Sequence, residues 1–208
     1  MKRKGLLIGL TGQTGAGKTT VSGYLLRLGR RVIDADVMAR HVVAKGSKCI
    51  VDLAVTFGTE IIMADGTLNR PRMGEIIFSD KEKRMIFNKI IFPYIQEAIF
   101  AEVERMREDG APIIFLDAPT LFESGTHTSC DQIISVIAPL EVRRARIMAR
   151  DKLTEEQANN RIKSQHDDGF YTSRSHYVIR NDKDLGALRE RVDEVIGKLE
   201  LLILEGGA

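Results

Sequence analysis

Residues 12–19 of this chain, Gly12-Gln-Thr-Gly15-Ala16-Gly17-Lys18-Thr19, restrict what it can fold into more than any other segment. They match G-x-x-x-x-G-K-[ST] at every fixed position. They stand between an apolar run, Leu6-Leu-Ile-Gly-Leu-Thr11, and an amphipathic stretch. The run predicts a buried strand and the stretch a helix, the strand–loop–helix context that separates a true phosphate-binding loop from a chance match. Phosphate chemistry needs this arrangement. Glycines let backbone N–H groups turn inward around phosphate oxygens, where a Cβ would obstruct them. The helix opening near Lys18 adds the positive end of its dipole. Gly12, Gly15, Ala16, Gly17, Lys18, Thr19 and Thr20 are the candidate nucleotide-binding residues. Lys18 can reach the β- and γ-phosphates of ATP, and the Thr19 hydroxyl can coordinate Mg²⁺. A glycine-rich turn with an incidental lysine is the plainer reading, and pattern and context together argue against it.

The rest of the chain supplies the matching scaffold. Arg31-Val-Ile-Asp34, Pro112-Ile-Ile-Phe-Leu-Asp117, Gln132-Ile-Ile-Ser-Val-Ile137 and Tyr177-Val-Ile179 are further short apolar runs. Without polar alternation, such runs suit strands covered on both faces, as in a parallel sheet flanked by helices. Pro139 marks the start of a helix through Arg150, and Thr154-Glu-Glu-Gln157 is a capping-box pattern for another through about Gln165. Leu185, Leu188, Val192, Val195, Leu199 and Leu202 recur along one face of a long terminal helix. The expected fold is therefore α/β, a doubly wound parallel sheet of about five strands. The interval from Asp36 to Pro112 shows no clear strand and is far longer than a crossover needs, so a helical subdomain is expected there.

Composition narrows the class. With 31 Lys+Arg against 29 Asp+Glu, the net charge of +2 argues against bulk nucleic acid as the main partner. No stretch approaches the ~18 apolar residues of a membrane span. The basic start, Met1-Lys-Arg-Lys4, precedes too short an apolar run for a signal peptide. Cys49 and Cys130 form no CxxC pair and read as free thiols, and the four histidines lack zinc-ligand spacing. A cytoplasmic protein is expected, and no signal speaks to its oligomeric state.

The chain lacks the N-K-x-D and D-x-x-G patterns of GTPases and the Asp-Glu strand end of AAA-type ATPases, which favours a small-molecule kinase. Asp34-Ala-Asp36 follows the second strand, at the sheet edge where an open parallel sheet places its ligand crevice. A carboxylate there can orient an acceptor hydroxyl toward the γ-phosphoryl group, the role expected of Asp36. Both aspartates also suit helix capping, the reading that fits Asp34 well. Asp117, ending the third strand, is either an Mg²⁺ residue, directly or through water, or a strand-end turn residue. Arg146 and Arg150 share a helix face and, with Arg161, could close over the phosphates. Arg143 and Arg144 read better as a solvated basic face.

Taken together these residues resemble the dephospho-coenzyme A kinase family, from about Leu7 to about Val192. The shared stretches include Gly-Leu-Thr-Gly before the loop, Val32-Ile-Asp-Ala-Asp36-Val-Met-Ala-Arg40, Asp65-Gly-Thr-Leu-Asn-Arg70 and Ile77-Phe-Ser-Asp80. Further on come Asp117-Ala-Pro-Thr-Leu-Phe-Glu123, Arg146-Ile-Met-Ala-Arg-Asp151, Arg161-Ile-Lys-Ser-Gln165 and Tyr177-Val-Ile-Arg-Asn181. The resemblance implies transfer of the ATP γ-phosphate to the ribose 3′-hydroxyl of dephospho-CoA, giving CoA and ADP, within a single P-loop kinase domain over residues 1–208. It implies Asp36 as base, Lys18, Arg146 and Arg150 as catalytic, and Asn181 near the adenine pocket. It also implies a helical acceptor-binding insert over 37–111 and a lid over 140–175. Acceptor-binding residues by the same resemblance are Asp34, Arg40, Arg70, Pro119, Leu121, Phe122 and Glu123. The chain departs from the family pattern at Phe92-Pro93, where His-Pro is usual, at Thr120, and at His166-Asp167-Asp168-Gly169, with Arg174 standing in for a downstream basic residue. A kinase of another acceptor, such as a nucleoside monophosphate, and a nucleotide-gated regulatory module are the other classes the residues allow.

Overall fold

The computed structural model describes residues 5–205; the basic start over 1–4 lies outside them. The strands are β1 (Leu6–Gly12), β2 (Arg31–Asp34), β3 (Ile113–Asp117), β4 (Gln132–Ile137) and β5 (Tyr177–Arg180). They form one five-stranded sheet in the order β2-β3-β1-β4-β5. β1 pairs in parallel with β3 (Leu10 opposite Asp117) and with β4 (Gly12 opposite Val136), and β4 with β5. This is the expected P-loop α/β sheet. β1 is buried from end to end, as its unalternating apolar sequence requires.

Helices flank the sheet. Leu6, Ile8 and Leu10 of β1 point to one face. They join Val21 and Leu25 of α1 (Lys18–Arg27) and Leu188, Val192, Val195 and Leu199 of α9 (Leu185–Glu205) in one apolar core. Fully burying each such Leu or Ile contributes about 1.5–3 kcal/mol. Gly9 faces the other side, where an added Cβ would meet Leu121 Cδ2 at 2.7 Å and Cys130 Sγ at 3.1 Å. Both cysteines are free, Cys49 buried and Cys130 half-buried.

The chain divides into two compact units. One holds the chain up to Ile33 and from Met106 on; the other runs from Asp34 to Arg105. The second unit is helical: α2 (Ala35–His41), α3 (Lys48–Phe57), α4 (Arg70–Ser79) and most of α5 (Lys81–Glu108). Its own core gathers Val43, Cys49, Leu53, Ile61, Met73 and Ile91, with Phe92 packed against them. Pro93 lies inside α5. Its only sheet-like feature among the described residues is an isolated bridge, Ile62 to Leu68.

After β4 come α6 (Leu140–Asp151), α7 (Glu155–Lys163) and α8 (Asp168–Thr172). Pro139 is the N-cap of α6 rather than its first helical residue. The capping box at Thr154 and Gln157 is complete on both sides and starts α7. α6 and α7 share a small core of Ile147, Ala158 and Ile162. α8 has no periodic signature in the sequence; its N-cap is Asp167, whose Oδ1 accepts from Phe170 N at 2.8 Å.

Candidate active site

β1 ends at Gly12, and the chain then turns through Gln13–Gly17 into α1. Two loop glycines are forced by geometry. Gly15 has φ +76° and faces the Arg143 carbonyl oxygen, 2.7 Å from where a Cβ would stand. Gly17 has φ +101° and faces Asn181 Nδ2 at 2.2 Å from that point. No other residue type fits either position. Gly17 is also the N-cap of α1 and brings no side-chain acceptor, so the first-turn amides keep their positive end available to an anion. Ala16 is fully buried, while Thr19 and Thr20 are exposed at the helix start.

Lys18 Nζ donates to Asp117 Oδ1, an ion pair whose side chains are 15% and 9% exposed. β3 and β1 are neighbours in register, so the strand-end carboxylate and the loop lysine come together across 99 residues of chain. Thr19 adds a hydroxyl beside Lys18. A carboxylate and a hydroxyl are the hard oxygen donors that Mg²⁺ takes, together with substrate phosphates and water. No cluster of three or more His, Cys, Asp or Glu side chains suited to a metal occurs among the described residues. The donor set therefore fits an ion held jointly with a nucleotide rather than in a protein cage.

The arginines of α6 divide differently from the sequence reading. Arg143, expected on a solvated face, is 4% exposed. Its Nε donates to the Thr14 carbonyl at 3.0 Å, and its Nη2 to Gln165 Oε1 at 3.5 Å. Helix phase is the cause: Arg143 is one turn before Ile147, and the two are the buried residues of α6. Burial lowers the guanidinium pKa, while Asp168 and Tyr171 pull it back up. Arg144 pairs with Glu141, and with Glu155 at 3.2 Å. Arg146 reaches the loop, Nη1 lying 3.4 Å from both the Gly15 and Ala16 carbonyls. Arg150 and Arg161 converge instead on Asp151, at 2.7 Å each, and hold its carboxyl below the usual range.

Sequence reasoning gave no role to Gln13, Gln165 or Asp168, which tie the loop to the segment after α7. Gln165 Oε1 accepts from Thr14 N at 2.8 Å, and Gln13, 2% exposed, donates from Nε2 to Asp168 Oδ1 at 2.7 Å. The available signal was the burial face of α6, which fixes what stands behind the loop. Asn181, 6% exposed, donates from Nδ2 to the Ala16 carbonyl at 2.8 Å.

Among the proposed acceptor residues, Leu121 is fully buried and Phe122 nearly so. Phe122 stands edge-on to Phe170, with centroids 5.3 Å apart. Phe170 also carries His166 stacked at 3.6 Å and the Arg174 guanidinium at 4.2 Å. Pro119 is half-buried, its carbonyl 3.4 Å from Thr11 Oγ1, and Glu123 is exposed, 3.9 Å from His166 Nε2. In the second unit, Asp34 caps α2, its Oδ1 accepting from Asp36 N at 2.8 Å and Val37 N at 3.1 Å. Asp36 is exposed in the first turn of that helix, as are Arg40 near its end and Arg70 at the start of α4.

Residues 6–186 match the family profile described as dephospho-CoA kinase. The chain belongs to the dephospho-CoA kinase family. A relative named as such from Listeria innocua is 41% identical over 188 residues, covering 90% of this chain and 94% of that one. A solved structure from Thermus thermophilus superposes with a TM-score of 0.80 at 29% identity, covering 95% of this chain and 99% of that one. The dephospho-CoA kinase from Campylobacter jejuni does so at 0.71 and 25% identity, over 93% and 96% of the two chains.

Proposed function

We propose that the chain transfers the γ-phosphoryl group of ATP to the ribose 3′-hydroxyl of dephospho-CoA, releasing CoA and ADP. Membership of the dephospho-CoA kinase family over residues 6–186, with a complete phosphate loop inside that span, carries the reading. The loop amides and the N-terminus of α1 bind the phosphate chain, and Lys18 neutralises charge on its β- and γ-groups. Thr19 and Asp117 would hold Mg²⁺, which would supply further positive charge to offset that of the phosphate chain. Asp36 accepts a hydrogen bond from the acceptor hydroxyl and orients it in line. A carboxylate is a weak base toward an alcohol, but proton removal comes late in a loose transition state and positioning supplies most of the rate. Asp34, by capping α2, fixes the backbone on which Asp36 is carried. Arg146, already beside the loop, is the nearer arginine for charge on the transferred group. Arg150 would have to leave Asp151 to contribute, as a lid arginine does on closure.

The helical unit from Asp34 to Arg105, with Arg40 and Arg70, serves the acceptor. Pro119, Phe122 and Glu123 are the further proposed acceptor residues, Leu121 supporting them from the core, and residues 140–175 form the lid. Free thiols at Cys49 and Cys130 fit the reducing cytoplasm; no described helix is long and apolar enough to cross a membrane. A coupled ADP-release assay with a panel of acceptors tests the substrate. Dephospho-CoA should support turnover and nucleoside monophosphates should not. Turnover on a monophosphate alone would transfer the reading to another small acceptor.

A further inference from the structure

The carbonyls of the phosphate loop are held from outside. The Thr14 carbonyl accepts from Arg143 Nε at 3.0 Å. The Ala16 carbonyl accepts from Asn181 Nδ2 at 2.8 Å, with Arg146 Nη1 at 3.4 Å. Arg143 and Asn181 are 4% and 6% exposed, so these contacts are made in the protein interior. No peptide bond among the described residues is cis. In a trans peptide the carbonyl of one residue and the N–H of the next point in opposite directions.

Two consequences follow. Drawing the Thr14 carbonyl onto Arg143 turns the Gly15 N–H away from α6. Drawing the Ala16 carbonyl onto Asn181 turns the Gly17 N–H away from the residue that follows β5. The amide between them, Ala16 N–H, is engaged with the Gln13 carbonyl at 3.1 Å. Gly15 and Gly17 have no side chains to oppose rotation of these peptides, so an external hold is what sets them. A peptide rotated the other way would present a carbonyl oxygen where an amide hydrogen is needed, which repels phosphate.

We infer that Arg143 and Asn181 are positioning residues of the phosphate site, aiming the Gly15 and Gly17 amides by gripping the Thr14 and Ala16 carbonyls. Asn181 then serves the polyphosphate through Ala16, not the base by direct contact. The inference rests on the loop being the phosphate site of the proposed kinase.

Binding of pyrophosphate, ADP and adenosine to the full chain, followed by calorimetry, separates the possibilities. Asn181→Ala and Arg143→Met should each weaken pyrophosphate and ADP by about tenfold, the scale of one lost buried hydrogen bond, and leave adenosine unchanged. Arg143→Lys, which keeps a donor, should recover part of the loss. An equal loss for adenosine and ADP, or unchanged pyrophosphate binding, overturns the positioning role. Should Arg143→Met fail to fold, the Asn181→Ala result decides. Wild-type protein that binds neither pyrophosphate nor ADP would instead overturn the phosphate-loop reading, and this inference with it.

Discussion

Lys18 of the phosphate loop and Asp117 at the end of β3 form an ion pair that is largely withdrawn from solvent. The ammonium that anchors the β3 end is also the cation proposed for the β- and γ-phosphates. Removing one partner strands a buried charge, which costs about 3–5 kcal/mol, whereas replacing both with apolar residues is often neutral.

The Lys18→Met variant should therefore lose stability by roughly 3 kcal/mol and lose turnover by on the order of 10²–10³. Adding Asp117→Leu should restore much of the stability and none of the turnover. Urea denaturation and the ADP-release assay read the two effects separately. Recovery of activity in the double variant would contradict the role of Lys18.

Asp36→Asn should reduce kcat by on the order of 10²–10³, the range of a lost general base, while ATP binds with unchanged affinity. The exposure of Asp36 makes this variant structurally benign, so its melting temperature should stay near wild type. A near-normal kcat removes Asp36 from the mechanism.

Gly17→Ala should lose nucleotide binding and about 1–3 kcal/mol of stability, because φ is +101° and the new Cβ would meet Asn181 Nδ2. Gly23→Ala, in α1 with open space around it, is the matched control and should be neutral or slightly stabilising. Equal behaviour of the two variants in a thermal melt and an ADP titration would refute the geometric argument.

Burial raises the Cys130 thiol to about 12 from an ordinary 9.0, with Asp131 adding to the shift. The folded state thus keeps a proton that the unfolded state loses first. Stability from this group is full below about pH 9 and declines as pH rises toward 12. At pH 8 native protein should resist iodoacetamide at Cys130, and in urea it should be alkylated within minutes. Rapid alkylation of the native protein would show that the thiol is not buried.

The strands were legible because each is built on a short apolar run, and the helical unit because it shows no such run bounded as a strand. The capping box at Thr154 was legible because it is written in four consecutive residues. Arg143 was misread because charge was weighed ahead of helix phase: its spacing from Ile147 puts it on the buried face. The grip of Gln165 on Thr14 and the pairing of Lys18 with Asp117 span 151 and 99 residues. No local pattern encodes such contacts. α8, five residues long and nucleated by Asp167, is too short to show a period.

Phosphorylation of dephospho-CoA can be followed atom by atom in a single reaction. Incubate the protein with ATP, Mg²⁺ and dephospho-CoA, quantify ADP, and identify the product by phosphorus NMR. One ADP should form per CoA, with the new phosphate on the ribose 3′-oxygen and no product from Lys18→Met. ATP bound and hydrolysed without any phosphorylated acceptor would contradict the proposed transfer.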